Sequence, residues 1–104
     1  MSESVFKALE ASAESALMAY GERTQLIKTC EECSELIAEL ARRVNNFPTT
    51  SEAIIDEIAD CLIMLYQMRS NFGVEEVDER VLFKLNRTMS AIRNQKKIAP
   101  EGNA

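Results

Sequence analysis

Glycine and proline are too scarce in this chain for a fold that needs many tight turns. The sequence contains three glycines and two prolines among 104 residues, whereas an all-β fold needs turn residues about every ten positions. Hydrophobic residues make up 46% of the chain, which is enough for a packed core. We therefore predict an all-α fold, with a single domain over residues 1–95 and a flexible tail over 96–104.

Apolar residues recur at helical spacing in four stretches that are separated by helix-ending residues. Gly21 and Gly73 mark two of the breaks. Thr49, followed three residues later by Glu52, resembles a capping box at the start of the third helix. The predicted helices span about 3–20, 22–44, Thr49 to 71, and 74–95.

Apolar residues on the second and third predicted helices indicate how these helices pack, and the third has more apolar surface than a short chain can cover. The second helix has an apolar seam with steps of four and three residues, which predicts packing against another helix. The seam consists of Leu26, Cys30, Cys33, Ile37, Leu40 and Val44. The third helix is apolar around most of its circumference, which is typical of a buried helix. We therefore predict a four-helix module whose helical bundle is completed by homo-oligomerisation.

Charge, hydropathy and cysteine content indicate which partners and which compartment suit this chain. The net charge is −5 and no basic run occurs, which disfavours nucleic-acid binding. No apolar stretch reaches the roughly 18 residues of a membrane span, and the first residues lack the features of a signal peptide. We expect a cytoplasmic protein whose three cysteines, Cys30, Cys33 and Cys61, are reduced core residues.

Carboxylates are the main candidates for metal binding and acid–base chemistry in this sequence, because histidine is absent. Glu57 and Asp60 lie three residues apart on the apolar third helix, and Glu32 and Glu35 have the same spacing on the second. Each pair has an ordinary interpretation, as a solvated charged face or as a salt bridge. Together, on antiparallel neighbours, the pairs could surround a cation such as Mg²⁺, Mn²⁺ or Ca²⁺.

The predicted fourth helix carries a basic stripe formed by Arg80, Lys84 and Arg87. A solvated stripe or a set of ion pairs is one interpretation. Contact with a polyanion held by the metal is the other, and acidic helices beside a basic stripe suit a Mg²⁺–phosphate ligand better than a store of bare cations.

The acidic pattern resembles a known family signature. Residues 31–35 form EExxE, and 21 residues later residues 57–60 form ExxD. This pairing is similar to that of the all-α nucleoside triphosphate pyrophosphatases, the MazG-like family. The similarity covers about residues 20–90 and is greatest to short, single-domain members from phages and mobile cassettes.

The resemblance implies a fold, a reaction and a set of residue roles. The reaction is hydrolysis of a nucleoside triphosphate to the monophosphate and pyrophosphate by homodimers or homotetramers, with Mg²⁺ as cofactor and Mn²⁺ as an alternative. The implied metal ligands are Glu32, Glu35, Glu57 and Asp60. Glu31 would support the site or position the water, and Lys84 and Arg87 would contact phosphates. Lys28, on the Glu32/Glu35 face, is a further candidate for substrate binding.

Two other functions stay open at this point. The chain could be a non-catalytic oligomeric scaffold or regulator whose acidic motifs are surface charge. A carboxylate-bridged di-iron bundle usually pairs Glu with Glu-x-x-His, and this sequence has no histidine. For an enzyme, both removal of aberrant nucleotides and adjustment of nucleotide pools are compatible with the sequence.

Overall fold

The computed structural model describes residues 2–98, with side chains up to residue 95. Its helices are α1 (Glu3–Tyr20), α2 (Glu22–Val44), α3 (Ser51–Phe72) and α4 (Val74–Ile98). No strand occurs in the described part of the chain, which confirms the all-α prediction. None of these helices is both long and apolar enough to cross a bilayer.

The chain divides into two compact units at Phe72 and Gly73. The first contains α1, α2 and α3, and the second contains α4. The single domain over residues 1–95 stays a prediction. α4 continues to Ile98, past its predicted end, and residues 99–104 of the predicted tail lie outside the described residues.

The helix junctions follow local capping chemistry, with one correction to the sequence prediction. Gly21 adopts a φ of 86°, a conformation that favours glycine, and its N–H donates to Leu17 O at 2.8 Å. The cap of α3 is Thr50 rather than Thr49, because Thr50 Oγ1 accepts a hydrogen bond from Ala53 N at 3.1 Å. The Thr49 hydroxyl instead donates to Glu39 Oε1 at 2.6 Å.

A small core joins the three helices of the first unit. Its buried apolar residues, among those described, are Leu9, Ala13, Cys61 and Met64. Two amides share this interior: Gln25 and Gln67 are each 5% exposed, and Gln25 Nε2 donates to Gln67 Oε1 at 2.6 Å. A hydrogen bond of this kind removes much of the cost of burying both amides.

The face of α2 that packs differs from the predicted seam. The buried and half-buried positions of α2 recur in steps of four and three residues. They are Gln25, Thr29, Glu32, Leu36 and Glu39. Leu26 and Cys33, at the edge of the seam, are also half-buried. The rest of the seam is open in the single chain, where Ile37 is 66% and Val44 77% exposed. Within the described chain, α2 therefore packs mainly through residues beside the seam, where polar side chains find partners: Gln25 on Gln67 and Glu39 on Thr49. Packing of the open part of the seam against another helix stays a prediction.

α3 also has a covered face and an open apolar face. Cys61, Met64 and Gln67 are buried. On the open side, Ile55 is 59% and Leu65 48% exposed. The excess of apolar surface predicted for this helix is therefore confirmed for the single chain. Homo-oligomerisation, which would cover that surface, stays a prediction.

Candidate metal centre

Four carboxylates from two helices converge on one point of the first unit. Glu32 and Glu35 are one turn apart on α2, and Glu57 and Asp60 are one turn apart on α3. One oxygen from each of the four lies within 4.8 Å of the others. Glu32 and Glu57 are half-buried, whereas Glu35 and Asp60 are exposed. We call this set the carboxylate cluster.

Glu57 is the member of the carboxylate cluster with a buried oxygen that is unpartnered in the described chain. Its Oε2 atom is buried and has no hydrogen-bond partner among the described residues. Burial, followed by the charge of Glu35 and a hydrogen bond with it, raises the pKa of Glu57 above its ordinary value. Asp60 and Glu32 push this pKa in the same direction. A cation would relieve both the lost solvation and the repulsion between like charges.

Lys28 provides a counter-charge at one edge of the carboxylate cluster. Its Nζ lies 3.2 Å from Glu32 Oε1, one helical turn away on α2. The hydrogen bond and charge of Glu32 raise the pKa of Lys28, and Glu31 and Glu35 contribute to the same shift. Lys28 is therefore held beside the candidate site with its positive charge favoured.

The other predicted site residues lie outside the four-carboxylate group. Glu31 is exposed on α2, and its backbone oxygen accepts a hydrogen bond from Ser34 Oγ at 2.7 Å. Lys84 and Arg87 are exposed on α4, in the second unit, where they line the same shallow surface. The Arg87 guanidinium lies 5.9 Å from the centre of the Phe83 ring.

Sequence reasoning missed a pair of thiols beside the carboxylate cluster. Cys33 Sγ lies 3.0 Å from Cys61 Sγ, and the two share a hydrogen bond. The hydrogen bond with Cys33, together with burial, raises the pKa of Cys61 to about 11. A signal was present in the sequence, since Cys33 lies inside EExxE and Cys61 directly follows Asp60. The sequence pattern predicts only that each cysteine is a core residue of its own helix, because contact between them depends on how α2 and α3 align.

The donor set of the carboxylate cluster determines which cations suit it. Four carboxylates offer only hard oxygen ligands, which favour Mg²⁺, Mn²⁺ or Ca²⁺ over metals that require nitrogen or sulfur. No protein-family model, curated protein or solved structure matches this chain. The resemblance to MazG-like enzymes therefore rests on the acidic motifs and their spacing.

Proposed function

We propose that this chain is a Mg²⁺-dependent nucleoside triphosphate pyrophosphohydrolase. Its reaction would convert an NTP or dNTP and water to the nucleoside monophosphate and pyrophosphate, by cleavage between the α- and β-phosphates. The observation that carries the proposal is the convergence of Glu32, Glu35, Glu57 and Asp60 within 4.8 Å of one another. Two helices supply two ligands each, as in helix-bundle metal centres.

The state of Glu57 supports a resident cation at the carboxylate cluster. Its buried Oε2 lacks a hydrogen-bond partner within the described chain, and its pKa is raised chiefly by burial and by Glu35. An unpartnered buried carboxylate oxygen is costly unless a cation coordinates it. The residues present therefore fit a hard divalent ion, with Mg²⁺ proposed and Mn²⁺ as an alternative.

The chain's own residues would bind substrate and handle the proton. Mg²⁺, when bound, would neutralise phosphate oxygens and lower the pKa of coordinated water. Following the family resemblance, we assign Glu31 to supporting the site or positioning the water, and a carboxylate of the site would accept the proton of that water. Lys28, Lys84 and Arg87 are assigned to phosphate binding, because cations offset the charge of a triphosphate.

The first test is an assay of both pyrophosphate and orthophosphate release from standard and modified nucleotides with Mg²⁺. We expect pyrophosphate, and Glu35→Gln and Asp60→Asn should each reduce turnover at least about a hundredfold, because each removes one anionic ligand. Both variants should stay folded, since they keep the side-chain shape. Glu14→Gln, at an exposed position of α1, is the matched control.

Near-normal turnover by either cluster variant at low Mg²⁺ would refute the ligand assignment. Absence of turnover with every nucleotide would favour the second candidate, a non-catalytic oligomeric scaffold. That candidate is supported by the open apolar faces of α2 and α3, on which Val44 is 77% and Ile55 59% exposed. Metal analysis and an optical spectrum would test the di-iron alternative in the same preparation.

A further inference from the structure

Two cysteines from different helices meet beside the carboxylate cluster. The distance between Cys33 Sγ and Cys61 Sγ is 3.0 Å. Cys61 is buried, Cys33 is half-buried, and Cys30 is exposed one turn earlier on α2. We propose that Cys33 and Cys61 form a reversible disulfide that crosslinks α2 to α3 when the protein meets a small-molecule disulfide such as oxidised glutathione.

The sulfur separation is short enough to lead to a disulfide, and the available ligands argue against a zinc dithiolate. A disulfide bond is about 2.05 Å long, so the two sulfurs must approach by about 1 Å for the bond to form. Two thiolates on one tetrahedral zinc, at about 2.3 Å each, would lie about 3.8 Å apart. The observed 3.0 Å lies between these two separations, so the choice between them rests on the ligands, and structural zinc sites are usually completed by further Cys or His ligands. The chain also has no histidine to complete a zinc site.

The oxidation proceeds by two thiol–disulfide exchanges. Cys33, the more exposed of the pair, attacks one sulfur of oxidised glutathione as a thiolate, and the first glutathione leaves. Cys61 then attacks the Cys33 sulfur of the mixed disulfide, and the second glutathione leaves. The two thiol protons end on the two glutathione molecules. The protein pair loses two electrons, and the small disulfide gains them.

The position of the crosslink gives it a consequence for the carboxylate cluster. Cys33 lies between Glu32 and Glu35 on α2, and Cys61 directly follows Asp60 on α3. A covalent bond here would fix the separation of α2 and α3 at the level of the four carboxylates. The disulfide itself depends on neither the metal nor the proposed reaction, so its test can fail or succeed independently of them.

The test is a non-reducing peptide map of native protein treated with oxidised glutathione and then alkylated. Trypsin cuts after Lys28, Arg42, Arg43 and Arg69, which places Cys33 in residues 29–42 and Cys61 in residues 44–69. Cys30 shares the first peptide, so Cys30→Ser is the informative background. We expect the two peptides to be crosslinked in wild type and Cys30→Ser. The crosslink should be absent from Cys33→Ser and after treatment with dithiothreitol.

Oxidation should also raise the unfolding temperature of Cys30→Ser, by about 10 °C relative to its reduced form, because the crosslink constrains the unfolded chain. Glutathione adducts without a crosslink in Cys30→Ser would overturn the proposal. So would a crosslink that forms only in urea, because that result would mean that the native fold does not align the two sulfurs.

Discussion

At the residue scale, Glu57 is the side chain whose environment departs most from that of an ordinary glutamate. Its carboxyl is held among three other carboxylates, with one oxygen buried and unpartnered in the described chain. A proton and a metal ion are therefore competitors for the same place. The raised pKa makes the stability of the metal-free protein depend on pH, and the competition makes its cation affinity depend on pH as well.

The metal-free protein should lose stability as the pH rises above 4.5, the ordinary pKa of the Glu57 carboxyl. Because the pKa is raised in the folded state, the folded protein there holds a proton that the unfolded chain has lost, so deprotonation disfavours folding. Urea unfolding in EDTA from pH 4 to 8 would measure this slope. Glu57→Gln should flatten it and Glu14→Gln should not. Equal slopes for wild type and Glu57→Gln would contradict the prediction.

Lys84 tests whether α4 contributes to substrate binding. A hydrogen bond to a charged phosphate is worth about 1.5–3 kcal/mol, so Lys84→Ala should lower kcat/KM about tenfold to a hundredfold. Lys84→Arg keeps the charge but changes its geometry, and we expect a smaller loss. Mg²⁺ binding without nucleotide should stay nearly unchanged, because Lys84 is not a proposed ligand.

Steady-state kinetics beside a Mg²⁺ titration separates these effects. Lys7→Ala is a suitable control, since Lys7 is an exposed lysine of α1 paired only at the surface with Glu3. Unchanged kcat/KM for Lys84→Ala would mean that Lys84 does not contact substrate and belongs to a solvated basic stripe, the other interpretation of this sequence pattern.

At the scale of the element, α3 begins at a cap that the sequence placed one residue too early. Thr50→Ala should destabilise the protein by about 1 kcal/mol, because Ala53 N would lose the side-chain acceptor that now lies 3.1 Å away. Thr50→Ser keeps that acceptor and should cost much less. Urea unfolding of both variants is the measurement, and equal stability of the two would place the cap elsewhere.

Local signals predicted the helices better than they predicted which faces meet. Gly21, the helical spacing and the capping residues act within a few positions of one another, so α1, α2 and their junction agree with the predicted bounds. The packed face of α2 depends on a partner that is distant in sequence, namely Gln67 for Gln25. A local sequence pattern cannot predict that a glutamine will hydrogen-bond to another amide 42 residues later in the chain.

In the candidate site too, local spacing predicted the carboxylate pairs within each helix, but not how the two helices align. Spacing alone placed Glu32 with Glu35 and Glu57 with Asp60, because residues three apart share a helix face. Convergence of the two pairs within 4.8 Å required that α2 and α3 pack antiparallel at one alignment, which the sequence suggested but could not fix. The contact of Cys33 with Cys61 depends on that same alignment and was therefore missed.

At the scale of the whole molecule, the apolar surface exceeds what the described chain covers. A groove of about 520 Å³ between α1 and α3 is lined largely by apolar side chains, including Val5, Leu62 and Ile63. We expect an assembly of at least two copies at micromolar concentration, because burial of such surface favours association. Sedimentation should give a mass of two or more chains, and a folded single chain would contradict this expectation.

Ile55 provides a sharper form of the same experiment. It is 59% exposed in the single chain, so Ile55→Asp should change the stability of an isolated chain by only about 0.5 kcal/mol. In an assembly that covers α3, the same change would bury an unpaired charge and shift the population towards smaller species. Ile55→Val is the control, and identical sedimentation of both variants would exclude this face from the interface.

The buried hydrogen bond between Gln25 and Gln67 favours one alignment of α2 along α3 over others. Gln25 lies seven residues before Glu32, and Gln67 lies seven residues after Asp60, so the amide pair is two helical turns, about 10 Å, from the carboxylates. Apolar contacts tolerate sliding, whereas a slip of one turn would leave two amides unbonded at about 1–3 kcal/mol each. The glutamines therefore discriminate against misaligned states, and through that discrimination they keep the two halves of the carboxylate cluster level with each other.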